Sequence, residues 1–264
     1  MDNSKHNPGN AILRNGVLYT ADQGSGALVD ANTENAVPIW HSRGYLPHFE
    51  SPEATQHVTF HLADSLPKTV LLALEAELKT LPDEKRGAER RKRIDAWIDA
   101  GHGSCILRNP AIAKMVQGSL LSFDAQRYRL LAWVVMPNHV HALFHPMNGW
   151  TVAKTAASWK RFTACKICDH HRLTGEGPSP PIWHREYWDR YIRDQEHFKQ
   201  AIEYIHLNPV KAGLVTAPES WPWSSAHPGN ATSAPSRGVS GMNLRIGEQQ
   251  NAIVENGVPR SGKP

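Results

Sequence analysis

The sequence predicts an α+β fold, a central antiparallel sheet flanked by helices, and three stretches predict it. Tyr128–Met136, YRLLAWVVM, is nearly all apolar, as a strand buried on both faces is. Pro137-Asn138 then turns the chain and HVHALF returns it, which makes an antiparallel hairpin. Thr151 to about His171 and Asp194 to Pro209 carry apolar residues at helical spacing on either side of a short strand, so helices pack over that sheet.

The remaining elements follow in chain order. Residues 1–40 are rich in Gly, Asn, Ala and Asp without a sustained period and read as a flexible segment. QHVTFHLA, Gln56–Ala63, alternates as a strand with Val58, Phe60 and Leu62 on one face. Leu66–Leu81 is Leu-rich at helical spacing, with Leu71, Leu74 and Leu78 in line. A charged segment, DEKRGAERRKRIDAWIDA, reads as a helical insertion at about 82–108, helical after Gly87 and either a solvated face or a basic arm touching phosphate. Asn109 before Pro110 starts a helix that runs to about Phe123. In the helix from Thr151, Val152, Ala156, Trp159 and Phe162 mark the apolar stripe. Tyr187–Ile192 is a strand, and Asp194 caps the last helix, which Pro209 stops. Residues 227–264 are Gly, Ser, Asn and Pro rich and read as a second flexible tail, leaving one folded domain at 41–226.

Bulk properties exclude several classes. No run of eighteen apolar residues exists, so no transmembrane helix is expected. MDNSKHNPGN lacks the apolar core of a signal peptide, and three cysteines make no disulfide framework, so a cytoplasmic location is expected. The formal charge of +4 is compatible with a polyanionic partner. Cys165 and Cys168 form a CxxC followed by His170 and His171, but no second CxxC accompanies it, so a zinc site is disfavoured.

His139 and His141 are two apart on a strand, so their imidazoles project from the same face and can meet one ion. Tyr204 and Asn208, four apart on the last helix, lie about 40° apart around its axis and share a face at the edge of its core stripe. His206 lies about 160° from Tyr204 around the same axis and is not expected to share the ion.

MPNHVHALF followed by YIHLNPVKAGLV, with HSRGYLPHFE and HVTFHLADSLP upstream, resembles the HUH single-tyrosine transposases, and more narrowly the REP-associated tyrosine transposases of bacteria. The resemblance spans roughly residues 40–226. It implies an HUH endonuclease fold of ferredoxin-like type. It implies Tyr204 as nucleophile and His139, His141 and Asn208 as ligands of a divalent ion, Mg²⁺ or Mn²⁺. It implies cleavage and rejoining of single-stranded DNA at REP-type palindromic hairpins. Arg43, Gly44 and Tyr45 are then expected at the foot of a DNA hairpin, with Lys160, Arg161, Arg190 and Lys211 as phosphate contacts. DNA binding would place the protein at the nucleoid. Two other readings stay open: a hairpin-DNA binder whose chemistry has decayed, and a metal-dependent hydrolase that uses the histidines without the tyrosine. Monomer and homodimer are both compatible with the sequence.

Overall fold

The computed structural model describes residues 54–175 and 180–230 in full, and the backbone of five short strands before them. Arg43, Gly44 and Tyr45 lie outside the described residues, as does the C-terminal segment beyond Asn230. The chain divides into two units at Ile39/Trp40. In the first, β1 (Ala11–Arg14), β2 (Val17–Ala21) and β3 (Leu28–Asp30) form an antiparallel sheet within the stretch read as a flexible segment. β4 (Ile39–Ser42) pairs with β5 (Pro47–Glu50).

The second unit contains β6 (Gln56–His61), α1 (Lys68–Leu78), α2 (Asp83–Asp99), α3 (Pro110–Leu121), β7 (Tyr128–Val135), β8 (His139–Pro146), α4 (Val152–Thr174), β9 (Trp188–Tyr191) and α5 (Gln195–Lys211). Its sheet has the order β7-β8-β6-β9, and every neighbouring pair is antiparallel. This is the α+β arrangement expected from the sequence.

The two faces of the sheet are covered differently. Val58, Phe60, Leu62, Val140, Ala142 and Phe144 point to one face, where they are fully buried under α3 and α4. The alternate residues point to the other face. There α5 packs over β7 and β8 through Ala201 and Ile205 against Ala132, Val134 and Leu143. Beyond it, Ile94 and Ile98 of α2 pack with Leu66 and, at the margin, Trp188.

Three sequence expectations are corrected. α2 begins at Asp83, not after Gly87, because Pro82 fixes the entry and Asp83 and Glu84 favour the positive end of the helix dipole. Gly87 costs the helix about 1 kcal/mol relative to alanine, too little to stop it. In α4, Phe162 is half exposed; Thr163 and Ile167, four and eight residues after Trp159, carry the buried stripe in its place. Pro209 does not stop α5, which continues to Lys211. The proline removes one amide only near the helix end, and the chain leaves the helix at Gly213, whose φ of 68° suits glycine. Asn208 therefore stays helical and in register with Tyr204.

The starts of α3, α4 and α5 agree with expectation. Asn109 accepts from Ala111 N at 2.9 Å, Thr151 from Lys154 N at 3.2 Å and Asp194 from His197 N at 2.7 Å.

Candidate active site

His139 and His141 stand side by side on β8, opposite His61 and Thr59 of β6. Their Nε2 atoms are 3.0 Å apart, and both side chains are almost wholly buried. Burial disfavours the imidazolium form, so His139 is lowered to about 3 and His141 well below its ordinary value. Both rings are therefore neutral at pH 7 and able to offer lone pairs.

Asn138 of the turn fixes the orientation of His139. Its Nδ2 donates to Ile98 O at 3.0 Å and His102 O at 2.9 Å, which leaves Oδ1 to accept from His139 Nδ1 at 2.7 Å. The lone pair of His139 is then on Nε2. Nδ1 of His141 faces Thr59 Oγ1 at 2.8 Å and His57 Nε2 at 3.2 Å. With the proton of His141 on Nδ1, both Nε2 lone pairs point into the same space.

The same asparagine holds the last turn of α2 against the hairpin, and that turn carries Asp99. One Asp99 oxygen lies 3.4 Å from His139 Nε2. The other accepts from the Tyr204 hydroxyl at 3.2 Å. Asp99, His139 and His141 present ligand atoms all within 4.8 Å of one another, the only such group among the described residues. Cys165, Cys168, His170 and His171 form none.

Asn208 reaches the same point from α5, its Nδ2 3.4 Å from His141 Nε2. Its Oδ1 is buried without a hydrogen-bond partner. Rotating the amide by half a turn would exchange the two atoms and aim that oxygen at the histidine pair. Tyr204 packs edge-on against His141, with ring centroids 5.3 Å apart, and Lys211 Nζ lies 5.3 Å from the tyrosine ring. Burial, then the charges of Asp99 and Asp95, hold the Tyr204 phenol well above its ordinary value. Asp99 is itself raised, chiefly by burial, against hydrogen bonds from Asn208 and Tyr204.

This donor set fits a divalent cation. Bonds of about 2.1 Å at right angles place neighbouring ligand atoms about 3.0 Å apart, close to the observed 3.0 Å and 3.4 Å separations. Two imidazoles, a carboxylate and a carboxamide oxygen make a mixed nitrogen and oxygen set of the kind that holds a divalent ion.

The structure thus brings Tyr204, His139, His141, Asn208 and Lys211 together, and Arg190 lines the adjoining cavity. Lys160 and Arg161 are not brought to it. They sit on α4, across the sheet, where the Lys160 ammonium donates to Arg185 O at 2.7 Å. His206 turns away to Ser225 Oγ at 2.9 Å, as its helical angle predicts. Sequence reasoning missed Asp99, Asn138, His57 and Thr59. The signal for the last two was legible: they occupy the face of β6 opposite Val58 and Phe60.

Residues 112–208 match the family model described as Transposase IS200 like. That segment contains both histidines, Tyr204 and Asn208, but not Asp99. The chain is 27% identical over 124 residues to a REP-associated tyrosine transposase of Escherichia coli K12, a match covering 43% of this chain and 64% of that protein. It is 32% identical over 107 residues to a Haemophilus influenzae protein assigned to the same group, covering 38% of this chain and 60% of that one. The match thus spans about three fifths of the length of these curated relatives. Among solved structures, a REP-associated tyrosine transposase bound to a REP hairpin aligns with a TM-score of 0.47 and 17% identity, over 83% of this chain and 99% of that chain.

Proposed function

From its kinship with the REP-associated tyrosine transposases, we propose that this chain nicks and rejoins single-stranded DNA through a covalent tyrosine intermediate, beside REP-type palindromic hairpins. One observation carries the reading: a tyrosine hydroxyl, two neutral imidazoles and a carboxylate converge on one point, with Asp99 touching both the phenol and the imidazole pair.

Tyr204 Oη attacks phosphorus, the 3′ oxygen leaves, and the strand is held as a 5′-phosphotyrosine. The phosphoester bond energy is conserved, so a 3′ hydroxyl reverses the step and rejoins a strand without ATP. His139, His141, Asp99 and Asn208 would hold the divalent cation, which supplies polarisation of the scissile phosphate and charge stabilisation for the departing oxygen. Asp99 does two further things. It orients the phenol through a hydrogen bond, and it is the group that the phenolic proton already faces when the nucleophile must lose it. Its negative charge also opposes phenolate formation, and a cation held there would offset that charge. Lys211, beside the tyrosine ring, adds positive charge where the phosphate must sit. Arg43, Gly44 and Tyr45 are proposed as hairpin contacts on resemblance alone.

No helix among the described residues is long and apolar enough to cross a membrane, and action on DNA would place the protein in the cytoplasm. The test is cleavage of a hairpin-bearing single strand in a Mg²⁺ or Mn²⁺ titration, comparing wild type with Tyr204→Phe. The wild type cleaves and rejoins only with metal, and the variant does neither. A Tyr204→Phe protein that still cleaves would point to the metal-dependent hydrolase instead.

A further inference from the structure

A cavity of about 630 Å³ opens from Tyr204 and His141 outward between α2, α5 and β9. α2 contributes Arg91, Lys92, Asp95 and Asp99 to it, spaced so that they share one side of the helix beside the Ile94–Ile98 core stripe. Arg190 of β9 faces them.

The cations near the cavity differ in their partners. Arg86, Arg90 and Arg93 are each engaged by carboxylates, from Asp83, Glu75, Glu77 and Glu89. Arg91, Lys92 and Arg190 line the cavity and make no ion pair among the described residues. The acidic lining groups are Asp95, Asp99 and Asp189. Asp95 is pushed up to about 6, by burial first and then by the charge of Asp99, with Arg190 and Arg91 pulling the other way. His57 and His197 also line the cavity. Once a divalent cation balances Asp99, cations predominate along the wall.

We infer that α2 forms one wall of a single-strand channel. Arg91 and Lys92 from this wall, with Arg190 opposite, hold backbone phosphates that flank the one presented to Tyr204. The inference rests on the nick-and-rejoin reading and gives that site its strand path. From Arg91 to Asp99 the helix rises about 12 Å, enough for a short stretch of extended strand. In this arrangement the unpaired arm enters the cavity and the hairpin stem stays outside it.

The experiment uses the full chain and two oligonucleotides: a hairpin with an unpaired arm, and the same hairpin without the arm. Affinity is read by fluorescence anisotropy over a salt series, and wild-type adduct formation is followed in parallel. Arg91→Glu/Lys92→Glu should weaken binding of the armed hairpin by about 10–100-fold and lower its salt slope by about 1.4, two phosphates at about 0.7 each. The armless hairpin should change less than about twofold. Lys79→Glu/Lys85→Glu, the same charge change on exposed positions outside the cavity, should leave both affinities within about twofold. Unchanged affinity of Arg91→Glu/Lys92→Glu for the armed hairpin overturns the inference, as does an equal loss on both oligonucleotides. A wild type that binds the arm through Arg91 and Lys92 but never forms an adduct sinks the nicking reading and leaves the channel standing.

Discussion

The two faces of the central sheet are made by the same strands and are built to opposite rules. Under α3 and α4, β6 and β8 present Val58, Phe60, Leu62, Val140, Ala142 and Phe144, all fully buried. Trp159 and Tyr128 complete that side, the indole donating to the phenol at 2.9 Å and the phenol to Leu120 O at 2.7 Å. Toward α2 and α5 the alternate positions are His57, Thr59, His61, His139 and His141. These bury imidazoles that burial keeps neutral, and Asn208 leaves an oxygen without a partner. Uncompensated burial of polar groups costs stability. The apolar face offsets that cost and keeps the imidazoles in place, so one residue of register separates stability from chemistry.

The comparison can be broken by substitution on either face. Phe60→Ala should have the largest effect on stability, about 3–5 kcal/mol from lost burial and the cavity left behind, with cleavage per folded molecule retained; urea melts and active-fraction titration measure the two. His141→Ala should do the reverse. Cleavage should fall at least about 100-fold, about 2.7 kcal/mol in the barrier, while the unfolding free energy from urea melts changes by about 1 kcal/mol or less. If both variants lose stability and activity alike, the two faces are not separable.

Asn138→Ala sharpens the account, because it leaves every ligand in place. It removes the acceptor that orients His139 and the donor that ties Ile98 O to the hairpin. Mn²⁺ affinity should fall about 10–100-fold, measured by calorimetry or by the Mn²⁺ electron paramagnetic resonance signal. Unchanged affinity would remove Asn138 from the site.

The smallest effect is on pH. His57, His61 and His139 are lowered to about 3 from the ordinary 6.5, and His141 is lowered well below that ordinary value. Between about pH 6.5 and 3 the unfolded chain therefore binds protons that the folded chain refuses, so stability falls as pH falls. Asp95, raised to about 6, and Asp99, also raised, work in the opposite direction, since the folded state protonates them first. Four histidines outweigh two carboxylates. The metal-free protein should lose about 1 kcal/mol per pH unit or more below pH 6, read as a falling urea midpoint between pH 7 and pH 5.

Local pattern carried much of this structure. The shared faces of His139 with His141 and Tyr204 with Asn208 follow from periods of 2 and 3.6, the hairpin from its Pro-Asn turn, and the helix starts at Asn109 and Asp194 from their capping side chains. Asp99 did not follow. In DAWIDA it looks like any charge on a solvated helix, and its role depends on Asn138 clamping Ile98 O from 40 residues away in sequence. Thr59 and His57 lie on the polar side of a strand whose stronger signal is the apolar alternation of Val58, Phe60 and Leu62. Phe162 was placed in the core because the helical stripe allows either an i+3 or an i+4 step after Trp159, and only packing chooses between them.

The central claim is that Tyr204 becomes covalently joined to a 5′ phosphate at the point where Asp99, His139 and His141 converge. Peptide mapping of the protein after reaction with a hairpin-bearing single strand and Mg²⁺ tests it most directly. The account predicts an oligonucleotide mass on the peptide containing Tyr204, lost when the metal is chelated. An adduct on Tyr187 or Tyr191, or cleavage with no adduct on any peptide, would contradict it.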